Sequence, residues 1–183
     1  MIIRNIENWE DKMPKQMQKT TRRIAYCAMM IALAMIFSYV ESLIPFNFGV
    51  PGMKLGIANL VMVAGLYFLP VADVFIISLV RIVLVGSMFG NGMSIIYSLA
   101  GGVLSLIVMV LLKKIPGFSI IGVSIAGGIS HNIGQLIVAA MVVQNIKILY
   151  YCPALLIAGT VTGLLIGIVS GQELAAIKKM LRF

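Results

Sequence analysis

The residues best suited to chemistry lie in one apolar stretch, residues 118–143, which contains the chain's only histidine. His131, Asn132 and Gln135 are three or four residues apart, so on a helix they share one broad face. The stretch has no charged residue and exceeds the roughly 20 residues that cross a bilayer. Polar groups at that depth must face a bundle interior or a water-filled cavity, since exposure to lipid is costly. Two interpretations stay open: hydrogen bonding between helices, and ligand binding.

The composition is that of an integral membrane protein. Hydrophobic residues make up 61% of the chain and charged residues 11%, and the mean hydropathy is +1.07. The formal net charge of +8 does not indicate nucleic-acid binding, because the basic residues stand at the ends of apolar segments and form no patch with interleaved aromatic residues. We therefore expect a lipid bilayer as partner and no nucleic acid.

The segment pattern predicts an all-α integral membrane protein with a single bundle of six transmembrane helices. The bundle covers residues 22–171. Residues 1–21 form a cytoplasmic amphipathic or flexible segment, and residues 172–183 form a basic amphipathic tail. Basic residues cluster before the first segment and in the tail, whereas Lys54 and Lys147 fall on the other side. The positive-inside rule then places both the N and the C terminus in the cytoplasm.

Arg81 is the most expensive residue to bury in this chain. It lies ten residues into the third segment, about 15 Å deep at the helical rise of 1.5 Å per residue. An unpaired arginine near the bilayer centre costs from about 2.5 to well over 10 kcal/mol. Its partner could be Glu41, in an internal ion pair, or an anionic or carbonyl-rich solute. The two can coexist if ligand and carboxylate share the guanidinium.

On this topology, polar residues from several segments converge in the outer half of the bundle. Such convergence predicts an outward-facing pocket, capped by the loops 45–53 and 86–92. The predicted substrate-binding residues are Glu41, Lys54, Asn59, Arg81, Asn91, His131, Asn132 and Gln135.

Catalytic motifs are missing from the sequence. It has no aspartate cluster that could hold magnesium and diphosphate, no P-loop and no GxGxxG turn, and its single histidine has no nearby nucleophile. We therefore expect no enzyme activity, no catalytic residue, no metal site and no intrinsic cofactor.

Four features together carry a family resemblance: the run PGMKLGIAN at 51–59, the mid-helix Arg81, the segment SLAGG at 98–102, and residues 122–135. The chain resembles the Gx transporter family, also labelled heptaprenyl diphosphate synthase component I. It is more distantly similar to the substrate-binding S components of energy-coupling factor (ECF) transporters. The resemblance covers roughly residues 22–171.

Similarity to S components implies a subunit of the bacterial plasma membrane that binds a micronutrient, such as a vitamin, a flavin or a prenyl or quinone precursor, from outside. A membrane coupling subunit and cytoplasmic ATPases would supply the energy. The small-residue motif that contacts the coupling subunit in that group corresponds here to Ala28 and Ala32, with Ala34 contributing. The alternative label implies a non-catalytic membrane subunit of a quinone, isoprenoid or flavin-linked redox assembly.

Overall fold

A computed structural model describes residues 14–43 and 56–180, and the side chains of these residues up to 175. Residues 1–13, the predicted outer loop 45–53, Lys54 and residues 181–183 lie outside the described part of the chain. All regular structure in the described part is helical, which confirms the predicted all-α class.

The described residues form six α-helices and one short 3-10 helix. Five of the α-helices are long and apolar enough to cross a membrane, and α2, with ten residues, is the exception. The helices are α1 (Lys15–Leu43), α2 (Asn59–Phe68), α3 (Val71–Phe89), α4 (Gly92–Lys113), α5 (Ile120–Val143), the 3-10 helix (Ile146–Tyr151) and α6 (Cys152–Met180).

Two helices are longer than the hydropathy pattern indicates. Because α1 begins at Lys15, four basic residues that precede the first apolar segment already belong to the helix: Lys15, Lys19, Arg22 and Arg23. At the other end α6 continues to Met180, so most of the predicted C-terminal tail is an extension of this helix. Residues 172–180 contain neither proline nor glycine to end the helix, and Leu174 is buried.

The predicted outer loop at 86–92 is mostly helix, and the prediction of a loop there is wrong. Helix α3 runs to Phe89, and only Gly90 and Asn91 connect it to α4. A Cβ atom added to Gly86 would lie 2.1 Å from Cγ1 of Ile95, so this glycine allows α3 and α4 to pack closely instead of breaking the chain. A two-residue connection is too short to cover a pocket.

Helices α5 and α6 form the most extensive contact in the bundle, along a line of glycines. A Cβ atom added to Gly128 would lie 2.4 Å from the backbone oxygen of Gly159, and one added to Gly163 would lie 2.6 Å from Cα of Ile125. The four-residue spacing of Gly159, Gly163 and Gly167 in the sequence predicts such close packing of α6, and the structure confirms it.

The short helix α2 lies inside the bundle, with Asn59 and its apolar residues through Leu66 buried. Its C-terminal carbonyl groups are left without partners within the helix. Lys113, at the end of α4, donates a hydrogen bond to the backbone oxygen of Leu66 and places its ammonium 4.9 Å from the centre of the Tyr67 ring. The positive charge of Lys113 therefore stabilises the C-terminal end of α2, which stops short of the length that crosses a bilayer.

Candidate functional site

A cluster of buried polar side chains lies between α1, α2, α3 and α5. It contains five predicted site residues, each at most 7% exposed: Glu41, Asn59, Arg81, His131 and Gln135. Arg81 interacts electrostatically with both Glu41 and the His131 ring. The structure therefore brings together residues that are up to 94 positions apart in the sequence (41 to 135).

Gly56 connects the members of this cluster. Its backbone N–H donates a hydrogen bond of 2.7 Å to Oε1 of Glu41. Its φ of +87° is in the left-handed region that favours glycine. A Cβ atom at this position would lie 3.2 Å from both Nδ2 of Asn59 and Cδ2 of His131. The sequence motif at 51–59 therefore places a glycine where both the backbone conformation and the close approach to the imidazole require one.

The imidazole of His131 is held within its own helix. Its Nε2 lies 2.6 Å from Nε2 of Gln135, one turn further along α5. With the amide in this orientation its nitrogen donates, so Nε2 accepts and the imidazole proton sits on Nδ1. Nδ1 is buried and has no hydrogen-bond partner among the described residues. Nδ1 faces Gly101 of α4, where an added Cβ atom would lie 3.0 Å from it, so the imidazole meets the cluster through its Cδ2 and Nε2 side.

Arg81 has the largest unused hydrogen-bonding capacity in the cluster. Its Nη1 donates to Oγ of Ser38 over 3.5 Å, at the long limit of a hydrogen bond. Its Nε and Nη2 are buried without hydrogen-bond partners among the described residues. Glu41 attracts the guanidinium electrostatically, and Nε and Nη2 remain available to a further acceptor, so the ion pair and the ligand can coexist, as the sequence allows.

Asn132, although adjacent to His131, faces a different neighbour. Its Nδ2 donates a 2.8 Å hydrogen bond to the backbone oxygen of Leu155 in α6. For this residue the structure therefore favours the first interpretation, hydrogen bonding between helices. Its Oδ1 is buried without a partner in the described part of the protein.

Asn91 is exposed and lies at the start of α4, outside the cluster. Its side chain accepts a 2.8 Å hydrogen bond from the backbone N–H of Ser94, and the Ser94 hydroxyl accepts one from the backbone N–H of Asn91. This reciprocal pair is a capping box. The structure thus gives Asn91 a role in helix capping and places it away from the other predicted binding residues.

Replacing Asn91 with alanine should lower the free energy of unfolding by about 1 kcal/mol through the loss of the N-cap. Asn91→Ser should retain the wild-type value, because serine caps a helix about as well as asparagine. Thermal unfolding of the two purified variants in the same detergent measures the difference. Equal destabilisation by both substitutions would show that the amide does something other than cap α4.

The three alanines assigned to a coupling contact do not share one surface. Ala28 and Ala32 are exposed on the outside of α1, whereas Ala34 is fully buried in the core. The contact thus stays a prediction for the exposed pair, and the position of Ala34 suits internal packing.

Two members of the cluster were not among the predicted binding residues, Ser38 and Gly56. Ser38 precedes Glu41 by one helical turn, so their shared face was visible in the sequence. Gly56 belongs to the 51–59 motif, but its contact with the imidazole depends on the packing of α5. No group of three or more His, Cys, Asp or Glu residues in the described part of the chain could hold a metal ion.

The long apolar helices and the buried polar cluster define a multi-pass helical membrane protein. Residues 30–173 match the family model described as heptaprenyl diphosphate synthase component I. The chain belongs to this family, also called the Gx transporter family, as its sequence motifs predicted. No curated protein and no solved structure matches the chain.

Proposed function

We propose that the protein is the substrate-binding component of an ECF-type importer and takes up a small micronutrient, such as a vitamin, a flavin or a prenyl or quinone precursor. The observation that supports this most is the unsatisfied guanidinium of Arg81 inside a buried polar cluster. Unpaired donors on a buried cation carry a desolvation cost of several kcal/mol, which a bound solute with acceptor oxygens would offset.

The surroundings of Arg81 also suit a binding site better than a structural ion pair. Glu41, Asn59 and His131, from three different segments, meet around Gly56, and Glu41 attracts the guanidinium electrostatically. On the predicted topology this cluster lies in the outer half of a helix bundle in a bacterial plasma membrane. Its substrate-binding residues are then Glu41, Asn59, Arg81, His131 and Gln135.

In this proposal the chain is non-catalytic and has no cofactor of its own. ATP hydrolysis belongs to partner ATPases, which a membrane coupling subunit connects to the exposed face of α1. Ala28 and Ala32 are suited to that contact because they are four residues apart, exposed and small enough for close helix packing.

The test separates coupling from binding. Ala32→Leu should abolish ATP-dependent uptake into cells and reduce copurification of the ATPases, because leucine holds the partner helix away from α1. The same variant should retain its bound small molecule, identified by native mass spectrometry of the gently solubilised protein. Ala154→Leu, at another exposed alanine on α6, is the matched control and should leave uptake unchanged.

Retention of full uptake by Ala32→Leu would contradict the coupling contact. A purified wild-type protein that retains no small molecule and shows no ATP-dependent uptake would contradict the importer itself.

A second candidate function is a non-catalytic membrane subunit of a quinone, isoprenoid or flavin-linked redox assembly. The name of the family, component I of a synthase, favours it. Copurification distinguishes the two: this function predicts stable partners other than ATPases, and loss of those partners in Ala32→Leu.

A further inference from the structure

The two arginines that α1 and α3 contribute to their contact use the guanidinium differently. Arg23, on α1, donates from Nε to Oδ2 of Asp73 over 2.6 Å and from Nη2 to Oδ1. One edge of the guanidinium thus binds both oxygens of a carboxylate. This bidentate geometry is the arrangement in which arginine recognises carboxylate and phosphate groups most strongly.

In Arg81 the same edge is empty. Nε and Nη2, the two nitrogens that Arg23 uses, are the two that have no hydrogen-bond partner in the described part of the chain. The third nitrogen, Nη1, is directed to Ser38. Arg81 is only 7% exposed, so bulk water does not satisfy the hydrogen-bonding groups of this edge.

We propose that the Nε and Nη2 edge of Arg81 binds an oxyanion, a carboxylate or a phosphate, on the transported solute. This inference rests on the proposed function and specifies its substrate class: a small organic acid or phosphate ester. A neutral carbonyl offers a single oxygen, which the two parallel N–H donors must share, whereas an oxyanion offers each donor its own oxygen and adds a countercharge.

The other groups around Arg81 are compatible with an anion. The imidazole of His131 adds no charge there, since its Nε2 accepts from the Gln135 amide, and its Nδ1 faces Gly101 of α4. Glu41 is the acid that faces Arg81, and its Oε1 accepts the hydrogen bond from Gly56 N–H. Because Glu41 already balances part of the positive charge, a singly charged carboxylate suits the site better than a doubly charged phosphate.

The experiment compares solutes that differ only in the anionic group. The full-length protein in lipid nanodiscs is titrated with nicotinate against nicotinamide, biotin against its amide, and riboflavin 5′-phosphate against riboflavin. Binding is measured as the shift in thermal unfolding with a dye that reacts with the free thiols of Cys27 and Cys152. We expect at least one oxyanion to bind at least tenfold more tightly than its neutral counterpart. The pair that shows this preference distinguishes carboxylate from phosphate.

Arg81→Lys tests the bidentate edge, because lysine keeps the positive charge and loses the paired N–H donors. We expect it to weaken binding of the preferred oxyanion at least tenfold. Arg23→Lys is the matched control and should leave that affinity unchanged. Absence of any oxyanion preference across the pairs, or unchanged affinity in Arg81→Lys, would overturn the inference.

These outcomes are separable from those of the importer. An oxyanion that binds at Arg81 without ATP-dependent uptake upholds the binding inference and removes the importer. ATP-dependent uptake of a neutral solute, with no contribution from Arg81, upholds the importer and overturns the binding inference.

Discussion

Replacing Arg81 with leucine should abolish ligand retention while leaving the ligand-free protein at least as resistant to unfolding as the wild type. Loss of two charge-assisted hydrogen bonds, at about 1.5 kcal/mol each, corresponds to a roughly 100-fold weaker affinity. The fold should not suffer, because a buried, incompletely paired charge replaced by a hydrophobic residue of similar volume is often neutral or stabilising, and Glu41 keeps the hydrogen bond from the backbone N–H of Gly56. Native mass spectrometry measures the retained ligand, and thermal unfolding measures the stability.

Arg23→Leu provides the reciprocal control for this experiment. It leaves the buried carboxylate of Asp73 without the arginine that binds both of its oxygens, so it should lower the stability. Since Arg23 lies outside the polar cluster, ligand retention should stay at the wild-type level. If Arg81→Leu instead unfolded more easily and still retained its ligand, Arg81 would be a structural residue and the binding site would have to lie elsewhere.

The second large effect is expected at the line of glycines between α5 and α6. A methyl group at Gly128 would lie 2.4 Å from the backbone oxygen of Gly159, and a backbone atom cannot move aside as a flexible side chain can. Gly128→Ala should therefore separate the two helices and lower the free energy of unfolding by about 1 to 3 kcal/mol, the usual cost of overpacking.

Gly171→Ala, further along α6, is the matched control. No heavy atom lies within 4 Å of a Cβ added there. In a helix the alanine should raise the free energy of unfolding, by up to about 1 kcal/mol, because glycine loses more backbone entropy on folding. The two thermal unfolding midpoints should therefore move in opposite directions. A downward shift of equal size in both variants would show that the glycines act through helix propensity and not through close packing.

The two predictions address different requirements of the same site. Helix α5 carries His131 and Gln135 toward the cluster and Gly128 toward α6. A change that separates α5 from α6 therefore displaces the imidazole as well. We expect Gly128→Ala to weaken ligand retention indirectly, with loss of stability, whereas Arg81→Leu weakens it without such loss.

The transmembrane helices could be predicted from the sequence because hydropathy and length determine which segments enter a bilayer. The apolar stretch 118–143, for example, corresponds to α5 (Ile120–Val143), with a difference of two residues at its start. The predicted loop at 86–92 was wrong because a glycine can serve either in a turn or in close helix packing. Gly86 was interpreted as a turn residue, whereas it allows the close contact with Ile95, and the sequence alone does not distinguish the two roles.

The sequence by itself determined the all-α membrane class, the order of the segments, the glycine spacing of α6 and the presence of a costly arginine at mid-depth, because these follow from composition and spacing along one chain. Only the tertiary structure decided which neighbour each polar residue meets. Successive helical positions are about 100° apart, so His131 faces the cluster while Asn132 contacts Leu155 on α6. Likewise, how many hydrogen bonds the Arg81 guanidinium makes depends on which atoms of α1 lie near it. Among the described residues, only Ser38 accepts a hydrogen bond from Nη1. These contacts depend on how helices distant in sequence pack, which no local pattern encodes.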